Sequence, residues 1–315
     1  MKNEYIRVSE TEREREREES SSWDALKNEP FNSASNQQVP DGSKPDEWVD
    51  MAEEYEIDDE DNGELKEFLE KSKGIAIKSL ETMFSSIGVD KKYYDYIYGM
   101  PVGLDEDSEI PGEYHPGTYG IIIGVNSSEL ADFYSGKEET KRMPGAGMAE
   151  VIAHEIIHSV QTVPIKLHEV DGPDDIYHDT IGRKFKGWHG GFEENMTDAL
   201  AEIAVGMTIY NKNLQDVAEQ YESFLAKENE GIMPGNQMAA RLIRKMDPEL
   251  LKWYVTCAQD NDYEEDRIRK LMGEDGDEFI ENMNMLYKYQ IDDRKDADTI
   301  AIITKRTQEL IDKHL

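Results

Sequence analysis

Apolar residues recur along this chain with a helical period at both ends of its folded part, with a strand-like run between them. ELKEFLEKSKGIAIKSLETMFSSIG places Leu65, Phe68, Leu69, Ile75, Leu80 and Phe84 on a helical spacing, which Gly74 is expected to interrupt. KKYYDYIYGMPVGL fits either strand or helix. TYGIIIGVN, residues 118 to 126, is a β-branched run flanked by glycines and reads as a buried strand. Beyond residue 207 the helical period returns and persists: LQDVAEQYESFLAKEN, GNQMAARLIRKM, DPELLKWYVTCAQ and DADTIAIITKRTQELIDKHL each carry one apolar stripe. Asp247 is placed as an N-cap, with Pro248 at the first helical position, where its missing N–H does no harm. The Met-rich ENMNMLYKY reads as core packing rather than as a ligand surface.

Residues 1 to 62 carry no such period. TEREREREESSS alternates charge and then turns to serine, and EEYEIDDEDNG piles up acids. Such a segment buries too little apolar area to offset its ordering entropy, so a disordered, solubilising tail is expected, with Trp23, Phe31 and Trp48 as possible docking points. The pattern therefore predicts an α+β protein in three parts. These are a tail over 1–62, a part over 63–207 with the strand and two helices rich in titratable groups, and a helical part over 208–315 packed on the same domain.

Composition narrows the function. The formal charge is −34, with 69 acidic against 35 basic residues, a balance that repels nucleic acid and anionic lipid. It fits solubility, a basic partner or concentrated salt. Cys257 is the single cysteine, so neither an intramolecular disulfide nor a thiolate zinc cage is expected. Neither an apolar signal-peptide core nor a run near the ~20 residues of a membrane span is visible. The expected compartment is the cytoplasm, with export lacking a cleaved signal, or packaging into a particle, left open.

One stretch of the middle part breaks its own apolar pattern. AEVIAHEIIHSVQ sets His154, Glu155 and His158 among Ile, Val and Ala. On a helix over 149 to 163, Ala149, Ile152, Ala153, Ile156, Val160 and Val163 form one face, and Val151, His154, Glu155, His158 and Thr162 the next. Pro164 is expected to stop that helix. Residues four apart lie just over one turn from each other, so the two imidazoles point the same way and can chelate one ion. Glu155 then lies beside the ion, placed to take a proton from water.

A catalytic zinc keeps three protein ligands, so a third is required. GGFEENMTDALAEIAVGM, residues 190 to 207, reads as a helix with Met196, Ala199, Leu200, Ile203, Ala204 and Met207 on its packing face. Glu194, Asp198 and Ala201 line the neighbouring face. Glu194 can complete the metal sphere, and Asp198, one turn on, can accept the second ring N–H of a ligating histidine. Glu193 rivals Glu194, Glu202 lies two turns on and reads as solvated or structural, and an aspartate ligand through Asp198, Asp174 or Asp175 stays open.

HEIIH followed by a helix with E-x-x-x-D resembles the zincin metallopeptidases, in particular the gluzincin branch that includes thermolysin-like enzymes. That branch carries N-E-x-x-S-D on its second helix; here Glu193 replaces the Asn and Thr197 the Ser. The metzincin extension is absent, since position 161 is Gln and position 164 is Pro. The resemblance covers two helices. It implies a zincin-like catalytic domain with a small mixed sheet and a zinc ion on His154, His158 and Glu194. Glu155 would be the general base and Asp198 the acceptor behind a ligand histidine. It further implies a peptide or protein substrate and an edge strand that aligns it, for which GIIIGV is a candidate beside its plainer reading as a buried central strand. Such enzymes use a Tyr or His to stabilise the oxyanion, and the segment VPIKLHEVDGPDDIYHDTIGRKFKGWHGG, read as a loop, offers Tyr177, His178 and His189. Neither a nucleic-acid nor a membrane partner is expected, and the sequence does not fix an oligomeric state. The rival readings are an inactive or structural protein of the same fold and another zinc hydrolase, such as an amidase.

Overall fold

The computed structural model describes residues 63–105, 112–115, 120–124, 146–169, 176–182, 190–228, 233–256, 267–291 and 297–315. The acidic tail with Trp23, Phe31 and Trp48 lies outside the described residues, as does Cys257.

The first helix, α1 (Gly63–Ser86), runs unbroken through Gly74, contrary to expectation. Gly74 is exposed, with open space where a side chain would be. A glycine there costs about 1 kcal/mol, which burial of Leu69, Ala76, Leu80, Met83 and Phe84 outweighs. The helix ends at Gly88, whose φ of 74° suits glycine, with Val89 N–H bonded to Phe84 O and Gly88 N–H to Ser85 O in a Schellman arrangement.

The ambiguous stretch, residues 91–104, is mostly 3₁₀, and its last three residues open a strand. It forms two 3₁₀ turns, Lys91–Tyr93 and Asp95–Gly99, before a strand. Its buried residues are Tyr94, Ile97 and Met100, every third position, which is the period of a 3₁₀ helix. Strands β1 (Val102–Asp105), β2 (Gly112–His115) and β3 (Gly120–Gly124) form a mixed sheet in the order β1-β3-β2. β1 runs parallel to β3 and β2 antiparallel, with Tyr114 opposite Ile121. GIIIG is thus the central strand, with Ile121 and Ile123 buried; β1 and β2 are the edges of this sheet, and β2 packs against the helix that follows.

That helix, α2 (Ala146–Val160), ends earlier than expected. Val163 and Pro164, assigned to its end, belong instead to a hairpin of β4 (Thr162–Glu169) and β5 (Ile176–Gly182), where a loop was expected. Val163 pairs with Ile181 and Leu167 with His178, and Pro164 sits beside a register shift in the ladder, where its lack of a donor is tolerated.

Helix α3 (Gly190–Tyr210) is the centre of the molecule, packed against α1, α2, and two later helices, α5 (Pro234–Lys245) and α8 (Gly276–Ile291). It ends at Asn211, with φ 51°, the left-handed region that Asn tolerates. The other helices are α4 (Leu214–Glu228), α6 (Pro248–Thr256), α7 (Arg267–Leu271) and α9 (Ala297–His314). Asp247 caps α6 by accepting Leu250 N–H at 2.8 Å. The described chain is therefore mostly helical with small sheets, an α+β arrangement. No described helix is long and apolar enough to cross a membrane.

Candidate metal centre

Helix α2 gives most of its circumference to the core: Ala149, Ile152, Ala153, Ile156, Ile157 and Val160 are all buried. What remains is a strip with Val151, His154 and His158, half-buried. α3 has the same division. Met196, Ala199, Leu200, Ile203, Ala204 and Met207 are buried, while Glu194 and Asp198, one turn apart, stay half-buried. α2 and α3 pack directly, so the two polar strips meet.

Three ligand atoms converge there. His154 Nε2 and His158 Nε2 are 2.8 Å apart, and Glu194 Oε2 lies 3.4 Å from the first and 3.3 Å from the second. Ligand atoms about 2.0–2.1 Å from one ion at tetrahedral angles stand roughly 3.3 Å from each other. The two separations to Glu194 match that closely and the pair of imidazole nitrogens stands about 0.5 Å closer, and two imidazoles with one carboxylate are a donor set zinc accepts. His154, His158 and Glu194 form a group that can hold a metal ion. The imidazole rings meet edge to face, their centroids 4.5 Å apart.

The outer ring nitrogen of His154 is also committed. His154 Nδ1 lies 2.6 Å from Asp198 Oδ1, which places the ring N–H there and turns the Nε2 lone pair toward the other two ligand atoms. Burial alone would pull the His154 pKa down. The Asp198 charge and hydrogen bond, with help from Glu194 and Glu155, hold it well above 6.5. For Glu194 burial favours the neutral acid, but hydrogen bonds from His154 and His158 prevail and keep its carboxyl well below the usual range.

Glu155 points into the same space, with Oε1 3.9 Å from His154 Nε2. It is 7 % exposed, and burial raises its pKa above 4.5. The two imidazoles oppose that rise, the Glu194 charge adds to it, and a hydrogen bond from the Tyr114 backbone N–H lowers it. The bond from Tyr114 means that β2 lies across the helix at Glu155. Gly112 allows this approach: a Cβ there would stand 2.6 Å from Val151 Cγ1 and 3.2 Å from Glu155 Oε1.

Behind these residues stands a set that sequence periodicity missed. Asn236, buried at the start of α5, donates to Asp198 Oδ2 at 3.4 Å. Asn195 donates to Met283 O on α8 at 3.0 Å, and Gly235 presses on it so closely that a Cβ would fall 2.3 Å from Asn195 Oδ1. Beside His158, Ser159 Oγ donates to Ile156 O at 2.7 Å and lies 3.1 Å from Tyr96 Oη. The two glycines were the available signal, each standing where a backbone passes close to a site helix. The asparagines gave none, because their partners are distant in sequence.

The rival residues fall elsewhere. Glu193 is buried and does not belong to the cluster of ligand atoms. Glu202 lies farther along α3, where its charge, after burial, is the largest influence raising the Tyr221 pKa. The backbones of Tyr177 and His178 sit in β5 opposite His168 and Leu167, while their side chains lie outside the description. His189, Asp174 and Asp175 lie outside the described residues. No family model, curated protein or solved structure matches the chain.

Proposed function

We propose that this chain is a zinc-dependent metallopeptidase of the zincin type, its metal held by His154, His158 and Glu194. The observation that carries the reading is the convergence of two imidazole nitrogens and one carboxylate oxygen at 2.8–3.4 Å, with a fourth titratable group, Glu155, against them. A ligand triad alone serves a structural site as well. A buried carboxylate beside it, not itself in the ligand group, supports chemistry.

Zinc bound there would supply Lewis acidity, both to water and to a substrate carbonyl. The chain's own residues do the rest. Glu155 accepts the proton of the attacking water and delivers it to the leaving amine, and its raised pKa brings acceptance and donation closer in energy. Asp198 fixes the ring of His154 through Nδ1, and Asn236 holds Asp198. β2, at the edge of its sheet and bonded to Glu155 through Tyr114, offers extended backbone beside the reacting groups. This supports a peptide or protein substrate laid alongside it as an added strand.

The test is Glu155→Gln in the zinc-loaded protein, assayed on a diverse peptide library. Zinc content should be unchanged and cleavage lost. Cleavage at the wild-type rate would remove Glu155 from the reaction and the reading with it.

A further inference from the structure

The first turn of α5 belongs to neither ligand helix, yet it closes on α3 at two neighbouring positions. Gly235 lies against Asn195, where a Cβ would fall 2.3 Å from Oδ1. Asn236, the next residue, donates from Nδ2 to Asp198 Oδ2 at 3.4 Å. Asn195 and Asp198 are three residues apart on α3, in the same turn that carries Glu194. Pro234, at the first position of α5, sets the entry of the chain, and Gly235 lets the backbone come this close. Pro234, Gly235 and Asn236 are all buried there.

Asp198 needs such a partner. Its Oδ1 meets His154 Nδ1 at 2.6 Å, but its side chain is 32 % exposed, so water competes for the rest of the carboxylate. Asn236 is 1 % exposed, and its amide is held on a second side by a hydrogen bond with the Tyr221 phenol of α4. A carboxylate bonded through one oxygen can swing about that bond. With its other oxygen on a buried, fixed donor, its plane is set. An imidazole whose N–H faces a fixed carboxylate keeps one tautomer and one ring orientation. The residue type matters too, because Asn236→Asp would set an acceptor opposite an acceptor.

We infer that Asn236 is a positioning residue for the metal: its amide holds Asp198 in the plane that turns His154 Nε2 toward His158 Nε2 and Glu194 Oε2. The inference rests on the metal-binding part of the proposed function and extends it to a helix that carries no ligand. Coupling of this kind is reciprocal. Whatever the Asn236 bond adds to zinc affinity, zinc adds to the strength of that bond.

The test measures zinc affinity by chelator competition on four full-length proteins: wild type, Asn236→Ala, Asp198→Ala and the double variant. Asn236→Ala should weaken zinc binding about fivefold, the weight of one long hydrogen bond to a charged oxygen, against the about 10–100-fold of losing Asp198 itself. In the Asp198→Ala background the same substitution should change nothing, which a purely structural residue would not show. Unchanged affinity for Asn236→Ala, or an equal loss in both backgrounds, overturns the role of Asn236 and leaves the metallopeptidase reading standing. A wild type that binds no zinc overturns both. Asn236 is buried, so a second measurement uses the wild type alone. Solvent exchange of the Asn236 side-chain amide hydrogens, followed by NMR, should slow when zinc is added. Exchange at one rate with and without zinc overturns the role whether or not the variants fold.

Discussion

Glu194 and Asp198 meet imidazoles, whereas Glu222 and Asp312 meet only guanidinium and ammonium groups, and Asp275 meets an ammonium beside one imidazole. In the second region Arg241 bridges Glu222 and Asp312, Arg244 adds a 3.0 Å contact to Glu222, and Lys245 one of 2.9 Å to Asp312. These pairs clip α4, α5 and α9 together. Nearby, Asp275 accepts from Lys313 at 2.5 Å and contacts His314 Nε2 at 2.8 Å, and Arg306 grips Glu278 through two bonds of 2.6 and 2.7 Å. Guanidinium and ammonium groups carry only donors, so each such pair is chemically closed. An imidazole can give up a proton and offer a lone pair to a metal ion, which a guanidinium cannot, so the α2–α3 cluster can present three ligand atoms at one point. The same packing of charged helices thus yields a clamp in one place and a group able to hold a metal ion in the other.

Four substitutions probe that contrast. Glu155→Gln should have the largest effect, lowering peptide hydrolysis by about 10²–10⁴-fold with zinc affinity essentially unchanged. Asp198→Asn should weaken zinc binding by about 10–100-fold, because the carboxylate that orients His154 is gone. Competition with a chromogenic chelator measures it, and unchanged affinity would reduce the 2.6 Å contact to packing. Arg241→Ala should do the opposite, costing about 2 kcal/mol of stability in urea unfolding without altering zinc affinity. That figure lies below the 3–5 kcal/mol of a fully buried pair because Asp312 is 39 % exposed. A change in zinc binding there would mean that clamp and site are coupled.

The smallest effect concerns acid. Lys313 and His314 hold the Asp275 carboxyl down to about 2, below its ordinary value of 3.8. A depressed carboxylate stabilises the fold above its unfolded pKa, and that share is lost as pH falls from about 4 through about 2. Asp275→Asn, unfolded in the presence of a chelator, should therefore show a shallower loss of stability across this window. An identical acid profile would mean that the contact contributes nothing.

The contrast also marks what one sequence discloses. Helix period alone sets His154 beside His158 and Glu194 beside Asp198, since residues one turn apart share a face, and the packing of α2 on α3 brings the two pairs within 3.4 Å. The boundaries were less legible. Gly74 looked like a break, yet a single glycine penalty is small against a buried helix face. Pro164 hid a period-two strand, and the aromatic turns followed a period of three that fits neither helix nor strand. Tertiary partners were not legible at all. Tyr287 and Asn284 sit in ENMNMLYKY, which reads as core because Met283 and Leu286 are indeed buried, and nothing local tells that the other face braces α3. GIIIG was open to two roles, and pairing on both sides makes it the central strand.

The central claim is that two histidines of α2 and one glutamate of α3 hold a metal that does chemistry. The most direct measurement is the metal content of the purified full chain beside that of Glu194→Ala, each dialysed against trace zinc. One zinc per wild-type chain is expected, with a loss of well over tenfold in affinity for the variant. Wild type without zinc, or a variant that holds it as tightly, would contradict the account.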